Sequence, residues 1–373
     1  MKNLVKIFAV LLVSFNYFSI SFANSIPSSF ADLAERLMPS VVNISTTTTV
    51  TTRSNPLPFE FPPGSPFEDM FGTPQQRQTS ALGSGFIIDE EGIVITNNHV
   101  IQGAQDIVVR VNGDKDYKAK VLGADAGMDL AVLKIESDEK FKPVNFGNSD
   151  KARIGDWVIA IGNPFGLGGT VTAGIISARN RSIGLSRYED YIQTDASINQ
   201  GNSGGPLFNM AGDVIGINTA ILGQSGSIGI GFAIPSNSAQ KVIKQLIEFG
   251  ETKRGWLGVR IQVVDQGIAD AEKLDKPRGA LVASVAENSP SDKGGIKPGD
   301  IILEFDGKPI NEMKELPKIV AETDVGKKVM VKIWRNKREI TKEIILGRLE
   351  TSEDFKAQKP VIEKPKVSRI DGL

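Results

Sequence analysis

Apolar positions along the chain come mostly in short runs, not in helical stripes. Between 83 and 235 the runs Phe86–Ile88, Ile93–Thr96, Ile107–Val111, Leu130–Ile135, Trp157–Ile161, Val214–Ile217 and Gly229–Ala233 are separated by Gly, Asn and Asp. Short runs at this spacing, with turn residues between them, predict strands of a sandwich or barrel. Helical spacing occurs at three places. Phe30, Leu33, Leu37 and Met38 predict a lead-in helix within 24–40. Val242, Ile243, Leu246 and Ile247 predict a helix after Pro235-Ser236-Asn237 that stops at Gly250. Leu316, Ile319 and Val320 predict a third. Further on, Ser289-Pro290 reads as a helix start and Asp306-Gly307 as a hairpin turn after Ile301–Phe305. Val329–Trp334 and Ile340–Leu346 alternate as strands. Glu251–Arg254 is polar and reads as a linker, so the chain divides into units at 24–250 and 255–348. Residues 349–373 are rich in Lys, Glu and Pro and read as a linker or tail.

Two segments break the pattern. The first 23 residues carry Lys2 and Lys6, an apolar stretch at Ile7–Val13, and small residues around Ser21-Phe22-Ala23. That order is that of a cleaved secretory signal, which implies a periplasmic protein with no stable membrane span once the signal is removed. Residues 46–80 hold a threonine run and then a stretch rich in Pro and Gly with Phe59, Phe61, Phe67 and Phe71. A loop of this length is expected to have a function, and its phenylalanines imply docking on another surface.

Composition narrows the chemistry. The 373 residues contain no Cys and one His, with 43 Lys+Arg against 44 Asp+Glu. Thiol nucleophiles, Cys-ligated metals and multi-histidine metal sites are excluded within one chain, and no metal or other cofactor is expected. The balanced charge gives no footprint for nucleic acid.

The candidate catalytic motif carries a serine hydroxyl. Ser203 lies in Gly201-Asn202-Ser203-Gly204-Gly205-Pro206. A serine needs a base to take its proton and backbone N–H groups aimed at the oxygen that becomes negative, and flanking glycines permit that backbone. His99, in Thr96-Asn97-Asn98-His99-Val100, is the only imidazole the chain can offer. An acid that orients the imidazole is expected at Asp129, which opens a buried strand, with Asp125 as the competing candidate. The order His, Asp, Ser along the chain is that of barrel-type serine proteases.

These stretches resemble the HtrA/Deg (Do-like) serine proteases: GSGFIIDEEGIVITNNHVI from Gly83, DLAVLKI from Asp129, GDWVIAIGNPFGLGGTVTAGIIS from Gly155, YIQTDASINQGNSGGPLFN from Tyr191, GIGFAIPS from Gly229 and RGWLGVRIQ from Arg254. The resemblance implies an all-β, chymotrypsin-like double β-barrel followed by a smaller mixed α/β PDZ domain. It implies Ser203 as nucleophile, His99 as general base, Asp129 as its orienting acid, and an oxyanion hole from the backbone amides of Gly201 and Ser203. Met128 departs from the Thr or Ser usual in the family at that position. Ile221, Leu222 and Ile230 are implied as an aliphatic S1 pocket, which would accept small or branched apolar side chains and reject charged ones. Such a pocket suits unfolded proteins, whose buried aliphatic residues become accessible.

By the same resemblance, 46–80 corresponds to a loop that reaches a neighbouring subunit, and the chain is expected to form an oligomer built from trimers. Phe165–Gly169 and Ile183–Glu189 are the implied activation loops. Arg254, Trp256, Leu257, Gly258 and Val259 correspond to the PDZ carboxylate-binding loop, with the bound C-terminus adding as a strand beside Val259–Gln262. The family also contains members in which a similar polar linker precedes a second PDZ domain. The expected function is ATP-independent endoproteolysis of misfolded proteins in the periplasm, with possible chaperone activity. A chaperone or peptide-binding scaffold with secondary proteolysis, and an anchored stress-sensor protease, are the alternative readings.

Overall fold

The computed structural model describes residues 27–52, 75–112, 115–163, 169–184, 188–199, 201–221 and 227–352. Two closed six-stranded barrels come first. The first is built from β1 (Val41–Thr52), β2 (Gln75–Ile87), β3 (Ile93–Thr96), β4 (Asp106–Val111), β5 (Lys115–Asp125) and β6 (Leu130–Ile135), in the order β1-β2-β3-β6-β5-β4. The second uses β7 (Trp157–Gly162), β8 (Thr170–Arg181), β9 (Tyr191–Thr194), β10 (Pro206–Asn209), β11 (Val214–Ile221) and β12 (Gly231–Pro235), in the order β10-β11-β12-β9-β8-β7.

Alternation along each strand divides two cores. Val94, Ala131, Leu133 and Ile135 fill the first barrel, while their neighbours Ile95, Leu130 and Val132 turn to the seam against the second. Ile159, Ile161, Phe208, Ile217 and Phe232 meet them there. Both faces of β3 and β6 are therefore largely covered, which is why their sequences are apolar apart from Thr96 and the half-buried Lys134. The lead-in helix α1 (Ala31–Leu37) adds Leu37 to the seam, and a short α2 (Asn98–Ile101) follows β3. Helix α3 (Ser236–Phe249) adds Val242, Ile243 and Leu246. It ends at Gly250, whose φ of 73° is the left-handed stop the sequence implied.

The second unit is a small sheet with helices, the mixed architecture of a PDZ domain. Strands β14 (Val259–Val263), β15 (Ala280–Val285), β16 (Ile301–Phe305), β18 (Lys328–Arg335) and β19 (Arg338–Ile345) pair in that order, with β17 (Lys308–Pro309) on β16. The paired β13 (Gly255–Trp256) and β20 (Gly347–Arg348) close its ends. Helices α4 (Gln266–Glu272), α5 (Pro290–Lys293) and α6 (Glu315–Ala321) complete it. The Ser289 hydroxyl caps α5 by accepting from Asp292 N at 3.2 Å, as Ser289-Pro290 implied.

Three sequence expectations change. The arms of the 46–80 segment are strands: Thr46 to Thr52 pair residue by residue with Ala81 to Gln75. β-Branched threonines favour such pairing. Residues 53–74, with Phe59, Phe61, Phe67 and Phe71, lie outside the described residues. The 251–254 linker is not loose, since Thr252 and Arg254 are buried. The start of the expected tail packs on the folded unit, because Leu349 is buried and its N–H donates to Arg254 O at 2.9 Å, while residues 353–373 lie outside the described residues. The signal region 1–23 also lies outside the described residues.

Candidate active site and peptide groove

At the end of β3, Asn97 is fully buried, and its Nδ2 donates to the Asp129 carbonyl at 2.8 Å. The chain then enters α2, which carries His99. The His99 backbone N–H donates to Asp129 Oδ1 at 2.8 Å, and His99 Nδ1 lies 2.6 Å from Asp129 Oδ2. An ionised carboxylate can only accept, so Nδ1 carries the proton and Nε2 of the neutral ring keeps a lone pair. Thr219 Oγ1 donates to the same Asp129 Oδ2 at 2.8 Å. Asp129 itself has φ 54°, a left-handed turn immediately before β6. Its side chain is 22% exposed against 46% for His99, so the acid is the more enclosed partner.

Asp125 has a different role from Asp129. Its carboxylate accepts from Gly127 N and Met128 N inside the same turn and pairs with Arg254. The two candidates that sequence alone left open are thus separated by geometry, and Asp129 is the one on the imidazole. Asp195, earlier than Ser203 in the chain, accepts from Ile175 N at 2.7 Å.

Ser203 lies on the turn 201–204, which packs against the histidine segment. A Cβ on Gly204 would stand 2.4 Å from Thr96 Oγ1 and 3.0 Å from Asn97 N, and Gly204 has φ +83°. Only glycine fits both constraints. Gly204 N donates to Asn218 O at 2.7 Å, and the next residue along β11 is the Thr219 that holds Asp129. Adjacent residues of one strand therefore tie the serine turn to the acid. Sequence reasoning did not find Thr219, which carries no motif of its own. Gly201 has φ 106°. The Asn202 carbonyl accepts from Gly205 N at 3.0 Å, so in a trans peptide the Ser203 N–H points the opposite way.

Of the expected S1 residues, Ile221 pairs through its backbone with Gly231. Ile230 is partly buried and packs against the seam between the barrels. Leu222 and the Ile221 side chain lie outside the described residues, as does most of the expected activation loop at 165–169. Among the described residues, no cluster of His, Asp or Glu could hold a metal ion.

In the second unit, Trp256, Leu257, Gly258 and Val259 line a cavity of about 320 Å³ together with Leu316 and Val320 of α6. The Leu257 carbonyl accepts from Ser291 N at 3.0 Å and the Gly258 carbonyl from Ala286 N at 2.9 Å. With both carbonyls committed on one side, the trans-related N–H groups of Gly258 and Val259 point the other way. Strand β14 is an edge strand, free for addition of a peptide. Arg254 departs from its expected place. Its guanidinium does not line this cavity; it bonds Asp125 and Thr252 and stacks on the Tyr188 ring at 4.8 Å. Tyr188, from the expected activation loop, reaches the groove instead.

Two closed barrels with an imidazole–carboxylate pair beside a glycine-rich serine turn, followed by a groove with an open strand edge, define a serine endopeptidase joined to a peptide-binding module. The trypsin-like peptidase domain family matches residues 83–217, and the PDZ domain family matches residues 255–346. A probable periplasmic serine endoprotease DegP-like of Marinomonas sp. (strain MWYL1) is 47% identical over 342 residues, covering 88% of this chain and 72% of the relative. One of the same description from Hahella chejuensis is 44% identical, covering 89% and 72%. The solved HtrA-type protease AlgW with decapeptide superposes with a TM-score of 0.71 at 42% identity, covering 86% of this chain and 98% of that one. The serine endoprotease from Yersinia pestis gives 0.61 at 35%, covering 87% and 100%. The chain belongs to the HtrA/DegP-like family of serine endoproteases with a PDZ domain.

Proposed function

We propose that Ser203, His99 and Asp129 form the catalytic triad of an endopeptidase that degrades unfolded proteins. The observation that carries this is the bond from His99 Nδ1 to Asp129 Oδ2 at 2.6 Å, beside a serine turn packed on Thr96-Asn97. Ser203 Oγ attacks the scissile carbonyl while His99 Nε2 takes the hydroxyl proton. Asp129 holds Nδ1–H and stabilises the imidazolium. The carbonyl oxygen, now negative, is met by the N–H groups of Gly201 and Ser203. Collapse breaks the C–N bond, His99 delivers its proton to the departing amine, and an ester remains on Ser203. Water, deprotonated by His99, then releases the acid and restores the enzyme.

Substrate choice follows from an aliphatic S1 pocket at Ile221, Leu222 and Ile230, which favours residues that folded proteins bury. The PDZ groove binds a C-terminal carboxylate at the Gly258 and Val259 amides, with an apolar terminal side chain between Leu257, Leu316 and Val320. Export through a cleaved signal at 1–23 agrees with relatives named periplasmic, and no helix among the described residues is long and apolar enough to cross a membrane. An oligomer built from trimers, with the 46–80 segment reaching a neighbouring subunit, and holding of unfolded chains as a chaperone complete the reading. The test is degradation of an unfolded model protein by wild type and Ser203→Ala. The triad reading requires that the variant cleave nothing; equal degradation ends it. Substrate kept soluble by the inactive variant supports the chaperone role.

A further inference from the structure

We infer that Ser84, a buried residue of the first barrel, is the positioning residue that sets the oxyanion donors of the second. The inference rests on the protease reading above. Ser84 is 0% exposed on β2, and each of its hydrogen-bonding groups is used. Its backbone N–H donates to Ser203 O at 2.9 Å. Its hydroxyl donates to Gly201 O at 2.5 Å and accepts from Asn163 N at 2.8 Å. Its carbonyl accepts from Thr96 Oγ1 at 2.8 Å. The direction of the hydroxyl proton is fixed, because the Asn163 N–H can only donate and the Gly201 carbonyl can only accept.

Three successive peptide planes are fixed in this way. Gly201 O belongs to the 201–202 peptide and Ser203 O to the 203–204 peptide, and Ser84 grips both. Between them lies the 202–203 peptide, whose carbonyl is held by Gly205 N at 3.0 Å and whose N–H is that of Ser203. With its two neighbours held, the middle plane cannot rotate without breaking a buried bond. Gly201, at φ 106°, has no side chain to resist rotation by itself, so the restraint has to come from outside the turn.

Removing the hydroxyl leaves the Gly201 carbonyl and the Asn163 N–H without this partner in a buried place. The space freed is about one oxygen atom, too little for a water, which needs about 10–15 Å³ of probe-occupied volume. Gly205 packs so closely that a Cβ on it would stand 3.3 Å from Ser84 Cβ. The turn can recover only by rotating the 201–202 plane toward another donor, which carries the amides on either side out of line. His99 and Asp129 share no bond with the Ser84 hydroxyl and keep their geometry.

The experiment compares wild type, Ser84→Ala and Ser203→Ala on a short chromogenic peptide, together with inhibition by a peptide boronate, which mimics the tetrahedral intermediate. Loss of a whole oxyanion donor costs about 10²–10³ in rate, so misaligned donors should cost about 10–100-fold in kcat. The expected result for Ser84→Ala is that loss, KM within about twofold, boronate affinity weakened by the same factor as kcat, and an unmoved acid limb of the pH profile. Should Ser84→Ala not fold, Ser84→Cys, close in size but a weak donor, takes its place with the same expectation. A kcat within twofold of wild type, or a kcat loss with boronate affinity intact, overturns the inference. Ser203→Ala must be inactive in the same assay; residual full activity there defeats the protease reading itself.

Discussion

The Arg254 guanidinium and the Asp125 carboxylate form an ion pair sealed between the barrels and the PDZ unit, their side chains 10% and 5% exposed. Arg254 leads directly into β13 and the segment Trp256–Val259 that lines the groove. Asp125 closes β5 and anchors the turn that leads to Asp129. Burial acts to lower the Arg254 pKa, but attraction and hydrogen bonding from Asp125, with Tyr188 and Glu350 behind them, outweigh it and leave the pKa raised. The residue that sequence placed in the peptide loop is in fact a joint between domains.

Breaking such a pair strands the remaining charge, at a cost of about 3–5 kcal/mol. Arg254→Met and Asp125→Leu should each lower stability strongly, while the double variant should lose less than the sum. Denaturant unfolding of all four proteins measures this; additive losses contradict it.

Thr219 should contribute through Asp129. A hydrogen bond to a charged group is worth about 1.5–3 kcal/mol, so Thr219→Val should lower kcat/KM about 10–100-fold, whereas Thr219→Ser retains the donor and most of the activity. Steady-state kinetics on a short peptide check the pair. Equal loss in both variants means that the methyl group, not the hydroxyl, matters.

Asp129→Asn keeps the shape but lets the amide N–H face Nδ1, which favours the wrong tautomer. The rate should fall about 10⁴-fold. Asp125→Asn, which leaves the imidazole's partner untouched, should fall far less. A reversal of that ranking would return the orienting role to Asp125.

In the PDZ groove, a labelled peptide with a free carboxyl end and an apolar last residue should bind, and its C-terminal amide should not, because the Gly258 and Val259 amides then meet no charge. Val320→Asp should weaken the free-acid peptide at least tenfold by placing a carboxylate beside the apolar end. Fluorescence anisotropy reads both; equal binding of acid and amide contradicts the groove.

Legibility in the sequence followed burial. Ile93–Thr96 and Leu130–Ile135 are buried on both faces and could be read as strands directly. β5 was missed because most of its positions are exposed or half-exposed, and its alternation is confined to Tyr117, Ala119 and Val121 between charged residues. β8 was missed because most of its positions are likewise exposed or half-exposed. The threonine run before residue 53 carried a usable strand signal, but its neighbours rich in Pro and Gly obscured it. His99 and Ser203 were legible because the chain offers one imidazole and one Gly-Asn-Ser-Gly-Gly-Pro turn. Thr219, Ser84 and the Arg254–Asp125 joint were not, because each depends on a partner 90 or more residues away in the chain.

The most direct measurement is covalent capture. A fluorophosphonate reacts with a serine only where a base has raised its nucleophilicity, and peptide mapping locates the adduct. The triad account predicts one adduct, on Ser203, absent from His99→Ala and from Ser203→Ala. An adduct on another residue, or undiminished labelling of Ser203 without His99, would contradict it.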